Sequence, residues 1–372
     1  MIPLCGTHFG FAQRPKNINN MNKIIRYNLF LTAALLLFVG CLKDSFDDCP
    51  RPLRITVRAF DADQRDITTQ GDVERVILFV FDHNEQFFDA FDLGIDHITS
   101  RRSIEIAFEY GNVPEFLIFD AWANICDLVS FTYPNDVNQR NNVSLQLNRT
   151  ETLQALTTRR AERETVKSPG DLFFGSLDEV RIDFGDASVG IRDHVVNIHR
   201  KTAQVHIITR GLPASNNRTD DHRYEVHGGV DALHHTGEFS GNLVKKVPDT
   251  YFNAMGHLVT STAFRMLASE NNSPAHQGEN IVVDIFSGDA LIHTADSDSD
   301  GNPFVAQLGR TLNIIIDISP DDDAFLDVRT VVTPWDVVWQ EVDVGRPPTG
   351  GGTDPGDGNG NENGTDPGNL ID

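Results

Sequence analysis

Apolar and polar residues alternate every second position along much of this chain, in short stretches. Leu53, Ile55, Val57 and Ala59 share one side of a segment whose other side is Arg54, Thr56 and Arg58. That is the period of a half-buried β-strand. Val73 to Phe81 (VERVILFVF) predicts a second strand with a continuous apolar centre, Asp82 to Glu85 a turn, and Gln86 to Phe91 the return. Further strands are predicted at Ile104 to Phe108, Phe116 to Trp122 and Val143 to Leu147. Helix is scarce: only Thr150 to Glu164 gathers good helix formers, and its apolar face is thin. Gly, Asn and Asp punctuate the chain at short intervals, as turns between many short strands require. The pattern predicts an all-β fold, sandwich more than barrel.

A second block of strands begins near Asp193. Val196 and Ile198, then Val205 and Ile207, lie on one face of a long strand region. Tyr224 to Val226, Val259 to Leu267, Ile281 to Phe286, Leu312 to Ile318 and Val331 to Val344 follow. About 300 residues lie between Cys41 and the tail, which suits two domains of roughly 150 each. The boundary is placed near Arg192, giving sandwiches at 51–192 and 193–344. From Gly345 the character changes: the last 28 residues hold nine Gly and four Pro, and Thr-Asp-Pro-Gly recurs at Thr353 and Thr365. A segment with so little to bury is predicted to be disordered over 345–372.

The N-terminal end carries the sharpest chemistry. Lys23 and Arg26 precede an apolar run from Leu29 to Val39, and the first acidic residue is Asp44. A basic segment, a short apolar stretch and a small residue at the cut describe a secretory signal, here residues 1–40, with Met21 as a self-sufficient start. The run is too short to span a bilayer comfortably. Cys41 follows the cut directly. Phe38-Val39-Gly40-Cys41 resembles a bacterial lipobox, in which the cysteine thiol is diacylated and becomes the mature N-terminus; Phe38 fits that pattern less well than the usual Leu. The simpler alternative is an ordinary signal peptide with a chance cysteine. Residues 41–50 then form a lipidated, acidic tether.

Composition sharpens this picture. Without residues 1–40 the chain has 27 basic against 54 acidic residues, a formal charge of −27. So acidic a surface argues against nucleic acid and against attraction to anionic lipid. Membrane attachment then falls to the acyl chains, and stable anchoring takes more than one. Cys49 and Cys126 remain as a candidate disulfide pair or as two free thiols, since sequence cannot place their Cα atoms within bonding range.

Other constellations are weaker. Asp296-Ser297-Asp298-Ser299-Asp300-Gly301 looks like the start of a calcium loop, but its twelfth position is Gln307 and no helices flank it, so an acidic surface turn is the better reading. Asp296, Asp298 and Asp300 stay as the one candidate metal set. His194, His199, His206 and the His234-His235 pair lack zinc-hydrolase spacing, and polar strand faces explain them more simply. No G-x-S-x-G elbow occurs. No enzyme and no cofactor are expected. Trp122 is expected in the core. Trp335 and Trp339, four apart, face the same side of an extended strand, expected to be the sandwich interior.

Several stretches together resemble one family. They are Cys41 to Cys49 followed by Pro50, Val76-Ile77-Leu78-Phe79-Val80-Phe81-Asp82, Phe119-Asp120-Ala121-Trp122-Ala123-Asn124, Asp171-Leu172-Phe173-Phe174-Gly175 and Pro334-Trp335-Asp336. In that order and spacing they resemble the FimB and Mfa-type fimbrial anchor lipoproteins of Bacteroidetes, over nearly all of Cys41 to Val344. The resemblance implies two tandem transthyretin-like β-sandwiches and a minor fimbrial subunit held in the outer membrane at the base of a pilus. It implies fimbrial shaft subunits as partners, contacted by strand addition, and an anchor that keeps its own first strand. The acidic stretch Lys43 to Asp48 resembles the signal that sends such lipoproteins to the cell surface. The Gly- and Pro-rich tail is a poor donor strand, because Pro cannot donate to a ladder. The alternative function is a surface glycan-binding lipoprotein of a polysaccharide-uptake system.

Overall fold

The computed structural model describes residues 50–108, 113–150, 165–185, 191–212, 222–267, 280–319, 326–335 and 337. Cys41, Cys49, nearly all of the predicted helix, Trp339 and the tail lie outside them. The described chain is almost entirely β. The first half runs β1 (Leu53–Phe60), β2 (Arg75–Asp82), β3 (Phe87–Gly94), the short helix α1 (Ile95–Thr99), β4 (Ile104–Ile106), β5 (Phe116–Ala123), β6 (Val129–Phe131), β7 (Leu145–Leu147), β8 (Phe173–Arg181) and β9 (Asp193–Arg200). The second runs β10 (Thr202–Arg210), β11 (His222–Leu233), β12 (Phe239–Lys246), β13 (Thr250–Phe252), β14 (Leu258–Thr260), β15 (Phe264–Leu267), β16 (Val282–Ser287), β17 (Ala290–Ala295), β18 (Arg310–Ile318) and β19 (Leu326–Pro334).

Two curled sheets result, as the predicted pair of sandwiches requires. The first has the order β3-β2-β5-β8-β9-β1-β4. It curls far enough that Phe88 on one edge and Phe108, just past the other edge strand, bring their rings to 6.2 Å. Both halves open alike: β1 lies parallel to β9, and β10 lies parallel to β18. β9 ends at Arg200 and β10 starts at Thr202, so the chain changes sheet at Lys201, nine residues after Arg192. The expected long strand region is therefore two strands. Val196 and Ile198 enter the first core, Val205 and Ile207 the second. Likewise Val259 to Leu267 is two strands, β14 and β15.

The continuous apolar runs have a specific cause. On β2, Val76, Leu78 and Val80 fill the first core, while Ile77, Phe79 and Phe81 point the other way into a third cluster. β5 divides the same way, with Leu117, Phe119, Ala121 and Ala123 against Ile118 and Trp122. A strand buried on both faces loses its polar alternation. The third cluster also takes Leu145 and Leu147 of β7, and Val230, Leu233, Val244 and Leu267 of the second sheet. β7 itself pairs with β11 through Leu145 and Gln146. The two halves thus share a core, which two blocks read separately from sequence did not show. At the β11–β12 turn Gly237 has φ +73°, and a Cβ there would lie 2.0 Å from the Phe174 ring. Only glycine lets that turn seat on the first half.

Lys246, at the end of β12, is buried and its ammonium donates to the Lys167 carbonyl at 2.7 Å. Burial lowers its pKa to about 7, below the unfolded value near 10.4. Unfolding therefore takes up a proton between those two values, and the penalty shrinks as pH rises through that window. The stability gap between Lys246→Met and wild type should close by about 1 kcal/mol per pH unit from pH 7 to 9 in urea unfolding. A constant gap would show that Lys246 titrates normally.

Candidate functional site

Strand direction gives the molecule two ends. β1 starts beside the start of β9, with Arg54 opposite Asp193, and ends with Phe60 opposite His199. β10 then runs away from that junction and ends at Arg210 beside the end of β18. One end thus holds the entry of the chain, the middle is a junction, and the far end carries the turns of the second sheet.

At the entry end Pro50 forms a bridge with Phe184, and the Arg51 N–H donates to the Asp183 carbonyl at 2.8 Å. Cys126 lies elsewhere. It follows β5, which begins opposite Arg181 and ends opposite Phe173, and it packs near Gly170 at the junction. The eight residues of β5 separate it from Pro50 by roughly 20–25 Å at strand rise. A disulfide needs Cα atoms within about 7 Å, and Cys49 itself lies outside the described residues.

The junction is built around Arg200, whose side chain is 3% exposed. Its Nε reaches both Asp171 oxygens at 3.1 and 3.0 Å, and Nη2 reaches Asp72 at 2.5 Å. Phe173 and Trp335 sandwich the guanidinium at 4.9 and 4.6 Å, an arrangement suited to a planar cation. Burial pushes the Asp171 carboxyl up to about 6, against the pull of Arg200. Asn124, at φ 58°, donates to the carbonyls of Asp72 and Asp171 at 2.8 and 2.9 Å and accepts from Glu74 N–H. A Cβ on Gly175 would lie 1.9 Å from the Asn197 carbonyl, so β8 needs glycine to approach β9. A cavity of about 190 Å³ opens here between the halves, lined by Asp61, Asp63, Arg65, Arg310 and Trp335 among others. Its charges are paired, Arg65 with Asp61 and Arg310 with Asp63. Trp335 is thus a lid over Arg200 and not part of a sandwich interior.

A second buried pair braces the third cluster. Arg140 holds both oxygens of fully buried Asp120 at 2.8 Å and reaches Ser176. Burial still raises the Asp120 carboxyl. One other expectation changes. His206 is buried, not on a polar face; it contacts the Thr260 hydroxyl at 2.7 Å and burial lowers its pKa to about 4. The acidic Asp296 to Gly301 stretch is a turn held by Asp298, which accepts from the N–H groups of Asp300 and Asn302. Among the described residues no cluster of three or more His, Cys, Asp or Glu is placed to hold a metal. The turn serves β19: Ser299 donates its N–H to the Val328 carbonyl and accepts the Val328 N–H on its hydroxyl, at 2.9 and 2.8 Å.

That clamp bears on assembly, because unpaired strand edges are templates for another chain. Four strands of six residues or more pair on one side only among the described residues, and of these β12 carries Lys245 and Lys246. β19 is partly covered by Ser299 and carries Asp327, Arg329 and Pro334. β3 carries Asp89 and Asp92. β17, Ala-Leu-Ile-His-Thr-Ala, carries no Asp, Glu, Lys, Arg or Pro, and its Leu291 is 46% exposed. It starts at the far end, beside the β16 residue Ser287 that pairs with His222.

Residues 46–341 match the fimbrillin-A associated anchor proteins Mfa1 and Mfa2. The chain belongs to this anchor protein family. It is 34% identical over 331 residues to the major fimbrium anchoring subunit FimB of Porphyromonas gingivalis, across 87% of this chain and 98% of FimB. Two solved structures share the fold. A candidate polysaccharide-binding protein from Bacteroides thetaiotaomicron has a TM-score of 0.54 at 17% identity, covering 79% of this chain and 99% of that one. A candidate adhesin from Bacteroides ovatus has a TM-score of 0.53 at 13% identity, covering 77% and 94%. Three of the five sequence stretches that carried the family resemblance meet in space: Asn124, Asp171, Phe173, Gly175 and Trp335 all build the Arg200 junction. In this anchor family member they hold two sheets together.

Proposed function

We propose that this chain is a lipid-anchored minor fimbrial subunit that holds a pilus at the outer membrane. Cys41 carries the lipid, and a shaft subunit adds a strand to the β17 edge. The observation that carries the anchoring role is 34% identity to an anchoring subunit over nearly its full length. The fate of the first strand supports it. Leu53, Ile55, Val57 and Ala59 are buried and β1 pairs with β9 over seven residues. The first sandwich is thereby closed by its own strand and needs no donor. β17 supports the site of addition, because it is uncharged and starts at the end farthest from Pro50. Charged side chains on edges oppose such pairing.

The edge can be tested directly. Ala290→Lys with Leu291→Lys places two charges at exposed positions of β17. The double variant should retain its melting temperature and membrane fraction but lose at least about tenfold in shaft-subunit capture, near 1.4 kcal/mol. Unchanged capture would place the contact elsewhere.

A further inference from the structure

The entry end of the first sheet exposes large aromatic side chains. Phe184, bridged to Pro50, is 50% exposed despite its size. Phe88 is also exposed, and its ring lies against Phe108 past the last residue of β4. Arginines gather at the same end. Arg51 follows Pro50, Arg54 stands between Glu105 and Asp193 at 3.9 and 3.7 Å, and exposed Arg192 pairs with Asp183 at 2.8 Å. Exposed aromatic rings beside guanidinium groups fit the boundary between acyl chains and phosphate headgroups. Guanidinium also suits phosphate in geometry.

We infer that this rim rests on a phosphate-bearing lipid surface, with Phe184 at the headgroup–acyl boundary and Arg51, Arg54 and Arg192 facing lipid phosphates. The inference builds on the proposed acylation of Cys41. Eight residues lie between Cys41 and Pro50, so the tether spans at most about 30 Å when fully extended. The rim is therefore the part of the molecule held nearest the bilayer. Tyr251, also about half-exposed, lies at the far end, where β13 pairs with β14 and β14 with the end of β10.

The test uses the acylated full chain on phosphatidylethanolamine–phosphatidylglycerol vesicles with brominated acyl chains. Flotation with the vesicles reads the lipid anchor, and quenching of an added indole reads the rim. Phe184→Trp should gain emission over wild type that loses about half its intensity to bromine, as a ring at that boundary must. Tyr251→Trp should gain emission that is not quenched. In the unmutated chain, amide exchange over residues 181–185 should slow several-fold on vesicles. Flotation with equal quenching at the two positions, or with unchanged exchange, overturns the rim contact and leaves the anchor intact. Failure to float overturns both.

Discussion

Arg200→Ala should destabilise the protein by about 3–5 kcal/mol, because it leaves buried carboxylates without their cation. Asp171 and Asp72 would face each other across the space the guanidinium filled, and Trp335 would lose the plane on which it stacks. Arg200→Lys should recover little. An ammonium cannot reach both carboxylates and present a flat face to Phe173 and Trp335 at once. Trp335→Ala should cost less than Arg200→Ala, since the ion pairs survive. The loss should show in urea unfolding and in faster proteolysis near Lys201, where the chain steps between sheets. A cost below about 1 kcal/mol, the scale of an exposed pair, would show that the junction is ornamental.

The same junction shows how far sequence could be read. β1, β2 and β5 were visible because burial of one or both faces leaves a local signature in Leu53 to Ala59, Val76 to Phe81 and Phe116 to Trp122. β12 and β17 were not. Phe239 to Lys246 mixes Gly and Lys with its apolar residues, and Ala290 to Ala295 has only Leu291 and Ile292 as large apolar side chains. The single Lys201 step between β9 and β10 has no turn residue to mark it. The motif residues were found as a family pattern, but their convergence was invisible. Asp72, Asn124, Asp171, Arg200 and Trp335 are scattered over more than 260 residues, and only the folded sheets bring them together. Arg200 itself carries no mark of its role in the sequence. The clamp of Ser299 on β19 was likewise hidden within an acidic run whose spacing suggested a cation.

The proposed lipid at Cys41 is the other feature on which a single change should have an all-or-none effect. Two acyl chains contribute roughly 0.8 kcal/mol per buried CH₂. No rim of a few arginines and phenylalanines replaces that in a mature chain of charge −27. Cys41→Ala should therefore leave the β-sandwiches folded, since the described fold begins at Pro50, and move the protein from the membrane to the soluble fraction. The β17 edge should still bind shaft subunits, so the variant should travel with the fibres it no longer holds.

The measurement that tests the anchoring role most directly is the amount of fimbrial fibre in cell-free medium, from otherwise identical cells carrying wild type or Cys41→Ala. Whole fibres shed by the Cys41→Ala cells, with the variant chain at one end, are the result predicted here. Fibres that stay attached to those cells in normal number and length would contradict it.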